Sequence, residues 1–383
     1  MDSSPCHSPV AIVTTPSESC SPYPGSRSIH EAVHHSPYMQ KPFFSIIIPA
    51  YNLENYIAAT LQSVLVQTFQ DFEIIIVDDG SSDETVSIIQ SFHDPRIRLV
   101  SQVNGGVSRA RNAGMKKAVG AYIAFLDGDD YWYPEHLELA ADFFNRHPEI
   151  LAYANRYMRD ELEAIPPRPP SYPESIRRLG IRGVLFMNSS SVILNSSLAS
   201  RLPPWEEAMP YGEDGLYWTR CMRGTGLIGL GGSVTSIYRQ RASSAMHDEH
   251  YQHVSLHSLI APLLNELEAM KNPKWQFAVH YLVIRELHPK RLLSLNAEER
   301  ISLTGRIRKI MHPCLNRPFL DSYMKACSAR AGMEQSFSAL MDRTMFSCKW
   351  LDRLERMGRS LFFRLQTNNG MGGKHQDPVR SRS

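Results

Sequence analysis

Short apolar runs that alternate with helically spaced segments constrain this chain more than any other feature. Phe43–Ile48, Phe72–Val77 and Ala121–Leu126 are almost unbroken stretches of Phe, Ile, Val, Leu and Ala. Runs this short and this apolar suit strands covered on both faces, whereas a strand with one wet face would alternate. Arg96–Ser101 adds a further strand. Between them, Glu54–Gln67 places Ile57, Leu61, Val64 and Leu65 at helical spacing. Ser82 or Asp83 caps a helix that runs to about Phe92, and Val107–Val119 forms a third helix carrying Arg109, Arg111 and Lys116. Short connections between such elements imply an α/β fold, a mostly parallel Rossmann-like sheet with helices on both faces. Ligands in these sheets bind beyond the carboxyl ends of the strands. Tyr51, Asp79 and the turn Asp127–Asp130 all fall just past strand ends, so one crevice is expected to collect them.

The turn Phe125-Leu126-Asp127-Gly128-Asp129-Asp130 closes the last apolar run with three carboxylates. Its glycine lets the backbone bend so that the acids converge. Converging carboxylates repel one another unless a cation lies between them, and hard oxygen donors suit Mg²⁺ or Mn²⁺, which in turn hold a diphosphate. A solvated acidic turn is the plainer alternative. The neighbours carry the same duality. Tyr51 either packs or stacks on a planar base. Asp79 either caps a helix or accepts an N–H from a uracil-like edge, which would favour UDP. Arg111 either faces solvent or offers its planar fork to a diphosphate. As a set they describe a nucleotide-diphosphate site, without a Gly-x-Gly-x-x-Gly or Walker loop in the N-terminal sheet.

Composition narrows the class. A chain of 383 residues with 43% hydrophobic and 21% charged residues can bury one large core or two ordinary ones. A formal net charge of +2 argues against a nucleic-acid partner. Cys6, Cys20, Cys221, Cys314, Cys327 and Cys348 include no Cys-x-x-Cys pair, which points to reduced thiols and a cytoplasmic protein. Neither a signal sequence nor an apolar run of about 18 residues is present, so a soluble protein, or one peripheral at the inner face of a membrane, is expected.

Residues 1–42, rich in Ser and Pro, read as a disordered leader whose His7, His30, His34 and His35 are poor metal ligands. Around Pro166-Pro167-Arg168-Pro169-Pro170, residues 155–180 suggest a surface excursion. Val184–Leu194 suggests a strand beside Asn188-Ser189-Ser190-Ser191. Tyr211-Gly212-Glu213-Asp214 then precedes a helical Leu216–Met222, and Leu227–Arg239 is glycine-broken strand. Arg239–His253 is polar, a candidate lid in which Arg239, Arg241 or His247 folds over a diphosphate. Residues 251–365 are mostly helical and 366–383 form a disordered tail. Within 349–365, Trp350, Leu354, Met357, Leu361 and Leu365 recur at helical spacing among Arg353, Arg356 and Arg364. That pattern fits either a helix lying on an anionic membrane or one packed on its own domain.

Five segments in series carry a family likeness. Ser45-Ile-Ile-Ile-Pro-Ala-Tyr-Asn52, Ile76-Val-Asp-Asp-Gly-Ser-Ser-Asp83, Asn104-Gly-Gly-Val-Ser-Arg-Ala-Arg-Asn-Ala-Gly114, Phe125-Leu-Asp-Gly-Asp-Asp130 and Gly212-Glu-Asp214 resemble, in order and spacing, the motifs of glycosyltransferase family 2. The resemblance implies an A-type glycosyltransferase fold over 43–250 and inverting transfer from a nucleotide-diphosphate sugar to a glycan or lipid-linked acceptor. It implies Pro49, Tyr51, Asp79 and Arg111 at the donor, with Tyr51 and Asp79 on the base. It further implies Asp127 and Asp129 as the Asp-x-Asp metal pair, Asp130 as a further ligand, and Asp214 as catalytic base. Gly128 stands where family members often have Ser, and is expected to be a harmless replacement. Glu213 rivals Asp214, although neighbouring residues point apart. Trp205 and Trp218 either border the acceptor or fill the core. A nucleotidyltransferase, or a nucleotide-sugar-binding protein without turnover, are the alternative functions.

Overall fold

A computed structural model describes residues 41–160, 171, 173–177, 187–209, 211–240, 256–270, 279, 282, 283, 287 and 295–310. Met1–Gln40 separates from the unit Lys41–Ser383. The leader, the Pro166–Pro170 segment, Arg241, His247, the 349–365 helix and the tail lie outside the described residues.

The four expected strands form the parallel half of one sheet: β1 (Phe44–Ala50), β2 (Phe72–Asp78), β3 (Ile97–Ser101) and β4 (Tyr122–Phe125), in the order β3-β2-β1-β4. Between them run α1 (Ile57–Leu65), α2 (Thr85–Gln90) and α3 (Val107–Lys117). Double-sided burial explains their composition. Ile47, Ile123 and Phe125 join one core cluster, while Ile46, Ile48, Ala124 and Leu126 join the cluster on the opposite face. β1 runs further than its apolar stretch, pairing Pro49 with Val77 and Ala50 with Asp78. Proline is tolerated there because the Ile47 carbonyl accepts from Leu126 on the β4 side, where the ladder ends at Ile47 and Phe125. The missing N–H of Pro49 faces that same side, beyond the last pair. Helix α1 starts later than its periodicity suggests, because the Leu53 and Glu54 amides are committed to Thr85 Oγ1 and Asp83 Oδ2.

The second half of the sheet differs from expectation. β5 (Tyr131–Trp132), α4 (His136–Arg146), β6 (Ala152–Asp160) and β7 (Ser175–Arg177) precede a 3-10 turn at Ser189–Ser191. β8 (Val192–Asn195), α5 (Ser196–Ala199), α6 (Glu213–Thr225) and β9 (Ile228–Arg239) follow. The nine-stranded sheet continues β4-β8-β6-β9-β5, with β7 on β9. The β4–β8, β8–β6, β9–β5 and β9–β7 pairs are antiparallel and β6–β9 is parallel. Residues 155–160 and 175–177, expected in a surface excursion, are therefore strand. Their apolar content is thin because tertiary pairing to β9, not local propensity, holds them. Among the described residues of 184–194, strand begins only at Val192 (Val192–Asn195), since the Ser191 amide and hydroxyl both bond the Asn188 carbonyl and curl the chain.

Helices α7 (Leu256–Ala269) and α8 (Ala297–Ile310) follow. Leu263 and Leu264 of α7 and Ile307 of α8 belong to the same core cluster as Phe125 and Trp218, so among the described residues both helices pack on that face of the sheet. Among the described residues no helix is long and apolar enough to cross a membrane. Cys221 is a buried free thiol in α6.

Candidate active site

At the carboxyl end of β1 the chain turns sharply, with Asn52 in the left-handed region at φ 50°. Its side-chain oxygen accepts the Ser82 amide at 2.9 Å and its own amide donates to Ser81 Oγ at 3.0 Å. The loops after β1 and β2 are thereby locked together. Tyr51, at the head of this turn, is 49% exposed, which leaves its ring available to a planar ligand. Pro49 stands inside the sheet and is buried. What it presents to the site is its carbonyl, against which Gly128 packs.

Asp79 stands just past the end of β2, as expected, but its carboxylate is engaged within the protein. It is only 3% exposed, and Oδ1 accepts from Gln102 Nε2 at 2.6 Å and the Gly105 amide at 3.0 Å. Oδ2 accepts the Gly106 amide at 2.7 Å. Both oxygens are engaged by the loop that opens α3, so the carboxylate shapes that loop and offers no open edge to a base. Gly106 follows at φ 87°, a conformation that favours glycine.

The acidic turn is held from two sides. Thr60 Oγ1, from α1, lies 2.9 Å from the Gly128 carbonyl and 2.8 Å from the Asp130 carbonyl. Ser190 Oγ, from the 3-10 turn, accepts the Asp127 amide at 3.0 Å and donates to Asp130 Oδ2 at 2.5 Å. Asp130 Oδ1 accepts the Arg239 amide at 3.1 Å. Asp130 is fully buried, and burial, then the charges of Asp129 and Asp127, push its carboxyl well above the usual carboxylate range. Asp130, expected to share in metal binding, has its side chain tied to the 3-10 turn before β8 and to the end of β9. Asp127 and Asp129 are only partly buried. Among the described residues no group of three or more His, Cys, Asp or Glu side chains is placed to hold a metal ion. Two carboxylates still match how Mg²⁺-like cations bind, since these complete their shell with water and phosphate oxygens. Gly128 is also less indifferent than expected, because a Cβ there would stand 2.6 Å from Leu53 Cδ1 and 2.9 Å from the Pro49 carbonyl.

Arg111 joins this turn to α6. Its guanidinium donates to Asp127 Oδ1 at 2.7 Å and to Glu213 Oε1 at 2.9 Å. It lies over the Trp205 ring at 4.4 Å, and Trp205 stacks on Tyr217 at 3.9 Å. Burial opposes the charge of Arg111, but the Asp127 and Glu213 carboxylates more than offset it and keep it protonated. Arg111 is thus a bridge between carboxylates, not an exposed helix residue or a fork open to a diphosphate. Glu213 is buried in the first turn of α6, and burial, then the Asp214 charge, push its carboxyl up to about 7 despite Arg111. Asp214, beside it, is half-buried and accepts the Gly215 amide at 2.6 Å. Of these two acids, Glu213 is tied inward and Asp214 is the more accessible. Trp205 and Trp218 are core residues, 1% and 0% exposed. Asn112 fixes Trp205, accepting its amide at 2.9 Å and donating to its carbonyl at 2.9 Å. Arg239 lies over the Tyr56 ring at 5.4 Å.

Sequence reasoning missed Thr60, Ser190 and Asn112. Thr60 had a signal, a hydroxyl on the apolar stripe of α1 between Ile57 and Val64. Ser190 had none, because its partners lie 60 and 63 positions away.

Comparison with known proteins follows the same lines. Residues 45–197 match the family described as glycosyl transferase family 2. The E. coli UDP-Glc:α-D-GlcNAc-diphosphoundecaprenol β-1,3-glucosyltransferase WfgD is 32% identical over 206 residues, 52% of this chain and 78% of that protein. The uncharacterized glycosyltransferase EpsJ of Bacillus subtilis is 50% identical over 92 residues, 24% of this chain and 27% of its own. The chain spans between 17% and 27% of the length of four of the curated relatives it matches. Among solved structures, S. aureus TarS in complex with UDP-GlcNAc superposes with a TM-score of 0.56 at 20% identity, covering 79% of this chain and 91% of that one. The mixed sheet is accordingly an A-type glycosyltransferase fold. From its likeness to WfgD over most of that enzyme's length, the chain belongs to glycosyltransferase family 2.

Proposed function

We propose that this protein moves a sugar from a UDP-sugar to a hydroxyl of a glycan or lipid-diphosphate-linked acceptor, in a single displacement with inversion. The observation that carries this reading is the Arg111 bridge, which joins the acidic turn to the first turn of α6. WfgD, whose name specifies UDP-Glc and a diphosphoundecaprenol-linked acceptor, supports the choice of donor and acceptor class. Here that choice rests on the relative and not on Asp79, whose carboxylate is engaged elsewhere.

The crevice divides the work among its residues. Tyr51 offers an exposed ring to the nucleotide base. Asp127 and Asp129 would hold Mn²⁺ or Mg²⁺, which when bound neutralises the charge of the departing diphosphate. Asp214 accepts the proton of the acceptor hydroxyl as that oxygen forms a bond to the anomeric carbon. The bond from that carbon to the nucleotide diphosphate breaks on the opposite face, and UDP leaves. Glu213 and Arg111 do not touch the reacting atoms; they keep Asp214 and Asp127 in register. The charge of Arg111 also reduces the repulsion between carboxylates gathered in one place.

The Asp214→Asn variant tests the base. UDP-sugar binding, read by calorimetry, should remain near the wild-type value. Transfer to an undecaprenyl-diphosphate-sugar acceptor should fall by about 100- to 10,000-fold. Turnover within a few-fold of wild type would remove the assignment.

A further inference from the structure

We propose that Thr60 and Ser190 are positioning residues: their hydroxyls set the shape of the Asp127–Asp130 turn before any cation or nucleotide arrives. Both side chains are fully buried, and they approach the turn from different elements, α1 and the 3-10 turn before β8. Thr60 Oγ1 has one proton, which faces the Asp130 carbonyl at 2.8 Å and the Gly128 carbonyl at 2.9 Å more closely than the Tyr56 carbonyl of its own helix at 3.4 Å. Ser190 Oγ takes the Asp127 amide at 3.0 Å and gives its proton to Asp130 Oδ2 at 2.5 Å. The turn closes on itself through the Asp130 amide and the Asp127 carbonyl at 2.9 Å. The Ser190 carbonyl is itself fixed by Trp132 Nε1 at 2.6 Å, and the Trp132 amide by Ser63 Oγ at 3.3 Å.

The consequence is geometric. Asp127 and Asp129 flank Gly128, whose φ is not restrained by a side chain of its own, so the turn alone would be free to flex. Hydroxyls at Asp127 N, Gly128 O and Asp130 O remove that freedom and fix the backbone that carries both carboxylates. Removing either hydroxyl leaves buried backbone polar groups without a partner, and the turn would relax to regain one. Groups that orient ligating side chains in this way typically alter metal affinity by about 10- to 100-fold when lost.

The inference rests on Asp127 and Asp129 holding the cation, and the test separates the two. Mn²⁺ is titrated into the full chain at fixed UDP, and nucleotide binding is followed by calorimetry. Thr60→Val and Ser190→Ala should raise the half-saturating Mn²⁺ concentration by about 10- to 100-fold, while Thr60→Ser, which keeps the hydroxyl, returns it toward wild type. Wild type without any Mn²⁺ dependence would overturn the metal assignment and the inference with it. Wild-type dependence with unmoved half-saturation in folded Thr60→Val and Ser190→Ala would overturn the positioning role alone. A measurement on the wild type decides the matter even if both variants unfold. Amide exchange at Asp127 and Asp130 should be slow in the protein free of Mn²⁺ and UDP. Fast exchange that slows only when both are added would refute preorganisation.

Discussion

Replacing Arg111 by Met probes the bridge on which the site depends. The guanidinium, 3% exposed, gives one nitrogen to Asp127 and another to Glu213. Deleting one partner of a buried ion pair costs about 3–5 kcal/mol. Methionine retains some packing on Trp205, which places the expected loss near the lower end, about 3 kcal/mol. The pH dependence discriminates more sharply than the magnitude. Glu213 is pushed from 4.5 up to about 7 by burial and then by Asp214, with Arg111 opposing. A carboxyl whose folded value lies above its unfolded value takes up a proton on folding, so stability falls as pH rises through that window. The slope is at most about 1.4 kcal/mol per pH unit. In the wild type the window runs from 4.5 to about 7. Without Arg111 it extends above 7, so the variant goes on losing stability where the wild type has levelled. Urea unfolding should therefore show a deficit that grows by about 1 kcal/mol between about pH 6.5 and 8. Adding Glu213→Gln to Arg111→Met should restore stability at the higher pH. A deficit equal at both pH values, or no recovery in the double variant, would refute this account of the bridge.

Two further substitutions test other parts of the structure. Gly128→Ser places a Cβ 2.9 Å from the Pro49 carbonyl; Leu53 can turn aside but the strand cannot, so thermal or urea unfolding should show a loss of about 1–3 kcal/mol, and unchanged stability would contradict the packing. His136 is fully buried against Trp132 with centroids 4.1 Å apart, and burial holds its imidazole down at about 3 against an ordinary 6.5. Folding therefore favours the neutral ring, and its contribution is complete above 6.5 and lost as pH falls toward 3. Glu213 acts in the opposite direction over part of that range, so the readout is the difference between wild type and His136→Met. The variant's deficit should shrink by about 2 kcal/mol between about pH 6.5 and 5, and a constant deficit would mean that His136 is not held neutral.

Legibility in the sequence followed the range of the forces involved. The parallel strands were readable because double-sided burial demands apolar residues at consecutive positions, as in Ile46, Ile47 and Ile48. Tyr51 and Asp127 were readable as residues just past strand ends because a strand end is a local event. β6 and β7 were not readable, since Arg156, Arg159 and Arg177 give them a polar pattern that only pairing with β9 overrides. The role of Asp130 was equally hidden: three acids in one turn look alike until Ser190 and the Arg239 amide single out one of them.

Residue order alone determined the class of the sheet's parallel half and which acids stand just past its strand ends, because side-chain period and strand termination are properties of adjacent positions. Tertiary structure alone decided which acid turns outward and what each is tied to. Arg111 meets Glu213 across 102 positions and Ser190 meets Asp127 across 63, and separations of that length carry no local pattern. Only closure of the sheet brings such partners within the 3 Å or so that a hydrogen bond requires.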